Sequence, residues 1–297
     1  MLTVRDQEYD AFGPWIIKIE AAELLPRKFR PYVDMSIAYD YLVKVPKNMD
    51  RRDLRPGMDI YDAVIGLRGE NLYIYEQKDE VVSSEVISAS EVYSIVLKQN
   101  LLAGYLYLQL ERKEYLVQFN TISVDMIHEL INRIRHLSTS SSKTWPLNNL
   151  SEEVVGEMDH YYTSEWRDQV EKERNPDILA IQAITKLTYE GMNFFSRALK
   201  RVAKSHLKSC LYMSNGKELI LSKHGEDYKE FRKADYSISY TYIPFSRIRT
   251  IEEKTTEDVP EVIEYKVGVG GKDYSFLFHE SNEYGQNFYE TLRQVCM

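Results

Sequence analysis

The chain has few cysteines and no long apolar run. Only Cys210 and Cys296 occur among its 297 residues, whereas secreted proteins of this size usually carry more, often paired in disulfides. The first eight residues have neither the basic region nor the apolar core of a signal peptide. No stretch of about 18 apolar residues is present, so the sequence predicts no transmembrane helix. We therefore expect a cytoplasmic protein.

The chain also lacks an excess of positive charge. Its formal net charge is −8, and a general nucleic-acid binder needs cations to displace the counterions of phosphates. The composition therefore argues against nucleic acid as a partner. The 43% hydrophobic and 28% charged residues are ordinary for globular proteins. The 23 tyrosines against 10 phenylalanines favour half-buried strands, where the ring packs and the hydroxyl meets water.

No catalytic, metal or cofactor motif is complete. The segment 128–132, HELIN, begins like a zinc-protease helix but lacks the second histidine. The segment 268–273, GVGGKD, resembles a phosphate loop, but the strand patterns on both sides favour a hairpin. His160 and His279 each stand beside a carboxylate, and sequence neighbours mostly face apart. The sequence predicts no catalytic residue, no metal and no cofactor.

The length suggests about two domains at roughly 150 residues each. A run of small polar residues at 138–144 is typical of a linker or exposed loop. Ser151 is a suitable helix N-cap, and apolar residues at helical spacing follow it until Asn175-Pro176. Period-two alternation elsewhere predicts strands, and Asn215-Gly216 predicts a hairpin turn. Among these strands we expect 15–19, 36–45, 105–110, 236–242 and 262–269.

Several stretches of the first half recur in the same order in the second half. The matched pairs are Gly69-x-x-Leu72-x-Ile74 and Gly216-x-x-Leu219-x-Leu221; Ile87-x-x-Ser90-x-Val92-x-x-Ile95 and Ile243-x-x-Ser246-x-Ile248-x-x-Ile251; Tyr115-x-x-x-Phe119 and Tyr274-x-x-x-Phe278; and the helical sets Ile127, Ile131, Ile134 and Phe288, Leu292, Val295. The gaps between matched stretches differ in length, as expected of insertions in loops. The sequence therefore predicts an internal duplication.

Short antiparallel strands followed by one amphipathic helix resemble a pleckstrin-homology-like (PH-like) barrel. The stretches at 72–95 and 219–251 are similar to the strand, isoleucine, serine, isoleucine pattern of bacterial PH-like domains. The segments 12–15, 51–53 and 56–62 also resemble an uncharacterised bacterial family, which implies no activity. The resemblance implies a mainly β chain of the α+β type. We expect a PH-like domain with an N-terminal extension at 1–140, a linker and helical bridge at 141–208, and a second PH-like domain at 209–297, each barrel closed by its C-terminal helix.

The charge pattern of the segment 191–208 suggests a binding surface. At 3.6 residues per turn, five cations of the segment 191–208 fall on one stripe of a helix, and apolar residues occupy the opposite side. These cations are Arg197, Lys200, Arg201, Lys204 and Lys208. Such a helix fits an anionic membrane or an acidic partner. The competing interpretation is a solvated outer face of a helix packed on a barrel, and the net negative charge of the chain opposes membrane attraction.

The sequence favours a non-enzymatic interaction module that binds a protein partner or an anionic surface. Two alternatives remain open. An enzyme with a site assembled between the domains would show converging carboxylates or histidines with shifted pKa values in a pocket. A structural homo-oligomeric scaffold would present a self-complementary surface.

Overall fold

The computed structural model of the chain is mainly β, with antiparallel pairing throughout its assigned strand pairs. It describes residues 13, 15–49, 51–79, 81–140, 142–145, 150, 164, 167–168, 171, 176–187, 206–225, 236–256 and 259–296. These residues form two compact units. The first takes its described residues from 1–92, 101–107 and 115–138, and the second from 93–100, 108–114 and 139–297.

The described residues contain seventeen strands and two long α-helices. The strands are β1 (Ile17–Lys18), β2 (Tyr41–Pro46), β3 (Tyr61–Arg68), β4 (Asn71–Lys78), β5 (Val81–Ser88), β6 (Ser94–Asn100), β7 (Ala103–Gln109), β8 (Glu114–Asn120), β9 (Asp177–Gln182), β10 (Thr185–Lys186), β11 (His206–Leu207), β12 (Cys210–Ser214), β13 (Glu218–His224), β14 (Ser237–Pro244), β15 (Ile248–Thr256), β16 (Val259–Val269) and β17 (Lys272–His279). The helices are α1 (Val124–Ser138) and α2 (Glu283–Cys296). Short 3-10 turns lie at Ala22–Leu24, Arg51–Asp53, Ala89–Glu91, Thr121–Ser123 and Phe245–Arg247.

The first unit is built on a sheet of five strands in the order β1-β2-β3-β4-β5. Side chains alternate between the two faces of a strand, and apolar residues of β2 and β3 are buried on both faces. Val43, Ile65 and Leu67 belong to one face, and Leu42 and Val64 to the other. A sheet buried on both faces requires cover on each side.

The N-terminal segment supplies the cover of one face. Leu25, Phe29 and Val33 are buried in one cluster with Leu42, Val64 and other residues of the sheet. The long connection between β1 and β2 thus belongs to the core of the first unit. Half of the predicted strand 36–45 belongs to this connection, and only Tyr41–Pro46 pair as β2. An Asp34 carboxylate that accepts from the Ser36 backbone N–H at 2.9 Å turns the chain there instead.

In the second unit, five strands lie in the order β6-β14-β13-β12-β9, and a separate sheet has the order β15-β16-β17. Both predicted hairpin turns are confirmed. Gly216 joins β12 to β13 with φ +81, and Gly270 joins β16 to β17 with φ +61. Glycine tolerates this left-handed region, which side chains disfavour. No sheet among the described strands closes on itself into a barrel.

Aromatic rings fill the core of the second unit. The ring of Phe288 on α2 lies 4.8 Å from that of Tyr212, 5.4 Å from Phe278 and 5.5 Å from Phe276, measured between centroids. Leu292 and Val295 follow on the same face of α2 and are buried. The helical spacing predicted from Phe288, Leu292 and Val295 is therefore confirmed, as is that of Ile127, Ile131 and Ile134 in α1.

The same element order occurs in both halves of the chain. In the first half β2–β5 precede a 3-10 turn at Ala89–Glu91, and β6–β8 and α1 follow it. In the second half β9 and β12–β14 precede a 3-10 turn at Phe245–Arg247, and β15–β17 and α2 follow it. The small hairpin of β10 and β11 is an insertion between the first two strands of the second series.

The described part of the predicted helical bridge differs from the prediction. Asp177–Gln182 form β9 and pair with β12, and His206–Leu207 pair with Thr185–Lys186. Residues 164, 167–168 and 171 are helical, and the rest of the expected helix at 151–175 lies outside the described residues. The apolar run Ile178-Leu179-Ala180-Ile181 is buried throughout, which suits a strand covered on both faces better than an exposed linker.

Gly104 on β7 allows a close approach of Phe119 on β8. A methyl group at position 104 would lie 2.4 Å from the buried Phe119 ring, closer than carbon atoms pack. We expect Gly104→Ala to lower the free energy of unfolding by about 1–3 kcal/mol, as overpacking does in cores. Urea unfolding followed by circular dichroism measures the change. The double variant Gly104→Ala/Phe119→Leu should be less destabilised than the sum of its two single variants, and strict additivity would contradict the clash.

Candidate functional site

The sequence predicts a binding surface formed by five cations of a basic helix. Arg197, Lys200, Arg201 and Lys204 lie outside the described residues. Lys208 is described, half-buried, and directly follows β11. Leu207 is fully buried beside Leu187 and residues of the strand β16. The stripe itself stays a prediction.

A groove of about 440 Å³ lies within the first unit. Its walls are the end of β1, the connection that leads into β2, and one face of α1. Ile19 and Leu42 form a buried floor, and the half-buried Met35 and Ile37 extend this apolar surface. The groove thus combines an apolar base with a charged rim, which is typical of ligand and peptide sites. The residues of the rim are Lys18, Glu20, Asp40, Glu129 and Arg133.

Both cations of the rim converge on one carboxylate. The Lys18 ammonium lies 2.8 Å and the Arg133 guanidinium 3.0 Å from the two oxygens of Glu129. The hydrogen bond from Lys18 has the largest effect on the pKa of Glu129 and lowers it. Burial has a smaller effect that raises the pKa, and the hydrogen bond from Arg133 lowers it further. Glu129 is therefore ionised at neutral pH. Arg133 and Lys18 are both engaged and leave little attraction for a second anion.

Tyr41 supports these cations from below. Its ring centroid lies 5.2 Å from the Lys18 ammonium and 5.3 Å from the Arg133 guanidinium, within the range of cation–π attraction. Its hydroxyl donates to the Met126 carbonyl at 2.7 Å and so ties β2 to the first turn of α1. Burial, followed by the charge of Glu129, raises the pKa of Tyr41. The hydroxyl consequently keeps its proton and serves as a fixed donor.

The opposite rim is acidic. Glu20 and Asp40 are exposed, and Asp40 accepts from the Gly69 backbone N–H at 2.7 Å. Among the described residues, no cation pairs with either carboxylate. The rim therefore carries two positive and three negative charges, a net charge of −1, and its two uncompensated charges are negative.

Tyr39 fixes the wall next to Asp40. Its hydroxyl lies 3.4 Å from that of Tyr75, and its ring meets the Tyr73 ring edge to face at a centroid distance of 5.4 Å. Burial raises the pKa of Tyr39, and the hydrogen bond with Tyr75 adds to this. Gly66 makes room for this ring, since a methyl group at position 66 would lie 2.9 Å from it. The wall is thus a packed surface and not a loose loop.

The groove lacks the features of a catalytic centre in the part of the chain that the structure describes. No group of three or more His, Cys, Asp or Glu side chains stands close enough to hold a metal there. The shifts of Glu129, Tyr39 and Tyr41 all move their pKa values away from neutrality. A general acid or base works best with a pKa near the working pH, so these three groups are suited to binding rather than proton transfer.

Comparison with known proteins identifies no relative. No family model, no curated protein and no solved structure matches the chain. Neither α1 nor α2, nor any other helix of the described residues, combines the length and the apolar character that a membrane span needs.

Part of this site was within reach of sequence reasoning. Glu129 and Arg133 stand four residues apart on the helix that Ile127, Ile131 and Ile134 predict, which is the spacing of a surface ion pair. Lys18 and Tyr41 carry no such signal. Their meeting with Glu129 depends on the pairing of β1 with β2 and on the packing of α1, which no local pattern encodes.

Proposed function

We propose that the chain is a non-enzymatic interaction module built from two PH-like domains, and that the groove of the first unit binds a short segment of a protein partner. The element order that recurs in the two halves supports the duplication and the PH-like assignment. Each series has four strands, a 3-10 turn, three strands and a helix. Fold alone says nothing about activity, so the function rests on the groove.

The charge of the groove favours a partner segment with a lysine or arginine beside an apolar side chain. Glu129 already compensates Lys18 and Arg133, whereas Glu20 and Asp40 are exposed on the other rim. A cation of the partner would complement them, and an apolar neighbour would cover Met35 and Ile37 on the floor. This uncompensated acidic rim is the observation that carries the proposal, and it disfavours an anionic surface as the occupant of the groove.

A displayed library of random twelve-residue peptides tests the proposal. Selection on the full-length protein should enrich peptides with Lys or Arg next to an apolar residue. A fluorescein-labelled winner should bind the Glu20→Lys/Asp40→Asn variant roughly tenfold more weakly than the parent, because two charge complements of somewhat under 1 kcal/mol each are lost. Binding is measured by fluorescence anisotropy in 0.1 M salt, where screening is moderate.

The control is Glu70→Lys, which makes the same charge change as Glu20→Lys on an exposed residue of the same unit that does not line the groove. It should bind the peptide like the parent. Circular dichroism of each variant verifies that the fold is kept. Failure to enrich any peptide, enrichment of acidic peptides, or equal weakening by Glu70→Lys would each overturn the assignment of the groove.

A further inference from the structure

The turn that joins β6 to β7 carries two exposed leucines. Leu101 is 68% and Leu102 62% exposed, the former being the largest exposure among the exposed large apolar residues of the described chain. Large apolar side chains at a turn gain nothing from folding when water surrounds them. Their presence therefore calls for a function rather than a packing explanation.

Leu101 is also in an unfavourable backbone conformation. Its φ is +52, in the left-handed region where the Cβ of an L-residue crowds the following carbonyl. Glycine, asparagine and aspartate are the usual residues at such positions. The turn would be at least as stable with asparagine, so the leucine is present at a cost in stability. Strain of this kind collects at sites of function.

Hydrogen bonds of Thr121 and Ser123 link the leucines to two further apolar side chains. The Thr121 backbone N–H donates to the Leu102 carbonyl at 3.1 Å, and the Thr121 hydroxyl donates to the Leu101 carbonyl at 2.6 Å. Ile122 follows at once and is 56% exposed. The Ile16 backbone N–H donates to the Ser123 hydroxyl at 2.9 Å, which brings the half-exposed Trp15 to the same edge. We call Trp15, Leu101, Leu102 and Ile122 the apolar tip.

Two segments that carry three of the four residues of the apolar tip contain no charged side chain. Residues 101–107 and 115–124 contain no Asp, Glu, Lys or Arg, although 28% of the whole chain is charged. Burial of this edge in an apolar medium thus desolvates no charge from either segment, a cost that is otherwise large. The absence of cations from these two segments favours apolar insertion over recognition of headgroup charge.

The size of the apolar tip distinguishes its possible occupants. At the observed exposures its four side chains offer on the order of 400 Å² of apolar surface. A stable protein dimer usually buries about 800 Å² on each partner, so the tip alone is too small for one. Two leucines at the end of a turn with a tryptophan at its edge suit the boundary of a lipid bilayer, where tryptophan is enriched.

We propose that the apolar tip inserts into the interfacial region of a lipid bilayer. Leu101, Leu102 and Ile122 enter the acyl boundary, and the Trp15 ring lies at the level of the headgroups. This contact goes beyond the proposed peptide groove and is independent of it. It also differs from the predicted basic stripe, because apolar insertion operates on zwitterionic lipid and survives high salt, whereas attraction by cations does neither.

Flotation of the full-length protein with vesicles tests the insertion. The vesicles are phosphatidylcholine alone or phosphatidylcholine with 30% phosphatidylserine, each in 0.1 and 0.5 M NaCl. We expect binding to both kinds at both salt concentrations, and at least a tenfold lower partition coefficient for Leu101→Asn/Leu102→Ser. The Val86→Ser variant removes another exposed apolar side chain, from β5, and should bind like the parent.

Two further measurements separate insertion from damage to the fold. In a Trp145→Phe/Trp166→Phe background, Trp15 fluorescence should shift to the blue when vesicles are added. Leu101→Asn should have a thermal midpoint equal to or above that of the parent, because asparagine tolerates the left-handed conformation. A clear fall in the midpoint would mean that Leu101 serves the fold and would overturn its role in the tip.

Three other outcomes would also overturn the proposal. One is the absence of binding to either kind of vesicle. Another is binding to anionic vesicles only, lost in 0.5 M NaCl and in Arg197→Glu/Arg201→Glu/Lys204→Glu, which would assign membrane contact to the basic stripe. The last is a dimer in solution that Leu101→Asn/Leu102→Ser dissociates, which would make the tip a contact between copies of the chain.

Discussion

Replacing Phe288 by alanine should lower the free energy of unfolding of the second unit by about 4 kcal/mol, the usual cost of deleting a buried aromatic ring. Phe288 is fully buried, and its ring centroid lies within 5.5 Å of those of Tyr212, Phe276 and Phe278. The deletion removes these contacts together and leaves a cavity among rigid rings that close in poorly. Most single substitutions cost far less.

Trp145 provides a local signal for this experiment. It packs against the aromatic core of the second unit, and its backbone N–H donates to the Gly216 carbonyl at 2.8 Å. Urea unfolding is followed by Trp145 fluorescence in a Trp15→Phe/Trp166→Phe background. Tyr236→Ala, which deletes an exposed aromatic ring from the same unit, should change stability by less than about 0.5 kcal/mol. A Phe288→Ala effect below about 1 kcal/mol would contradict the packing described for α2.

The sequence predicted the elements that depend on local pattern. The spacing of Phe288, Leu292 and Val295 follows from the pitch of a helix, and the turns at Gly216 and Gly270 follow from the backbone freedom of glycine. Each of these is decided within a few residues. The recurrence of the element order in the two halves is visible in the sequence for the same reason. Matched strands and helices carry buried apolar residues at the same spacing.

The groove was not predictable, because it depends on contacts between distant residues. Lys18 and Glu129 are 111 positions apart, and their meeting requires the correct pairing of β1 and the docking of α1. The apolar tip also escaped the sequence analysis, because a pair of leucines at 101–102 looks like part of a buried strand. Only the φ of Leu101 and the exposure of both side chains distinguish this turn from a core.

Arg27 and Lys28 make an interaction in the fold that their sequence pattern does not indicate. They lie between two prolines in a basic stretch, a pattern that by itself is typical of ordinary surface charge. In the structure, the Arg27 guanidinium lies 2.7 Å and the Lys28 ammonium 3.2 Å from the Asp59 carboxylate. The Gln77 amide donates to the same carboxylate at 3.3 Å. One side chain thus joins the connection before β2, the segment before β3 and the strand β4.

Asp59→Asn should therefore lower the free energy of unfolding of the first unit by about 2 kcal/mol at pH 7. The Asp59, Arg27 and Lys28 side chains are at most 26% exposed. Removal of the carboxylate charge takes this pairing away from two partly buried cations, which costs much more than the loss of an exposed pair. Urea unfolding with hydrogen-exchange labelling of peptides from β3 and β4 reports on this unit alone. Glu76→Gln, which breaks a pair with the exposed Lys78 at 3.2 Å in the same unit, should cost less than about 0.5 kcal/mol.

The pH dependence of the same variant gives an independent result. Burial acts to raise the pKa of Asp59, but the hydrogen bonds from Arg27, Lys28 and Gln77 outweigh it, so the pKa lies below its ordinary value. A lowered carboxyl pKa contributes stability that is fully present above the unfolded pKa of about 3.9. It is lost as the pH falls through the folded pKa, because the unfolded chain then binds the proton more readily.

The parent should lose stability below about pH 5 more steeply than Asp59→Asn, since the variant has no proton to bind at this position. Equal slopes for parent and variant between pH 5 and 3 would mean that the three donors do not stabilise the ionised carboxylate.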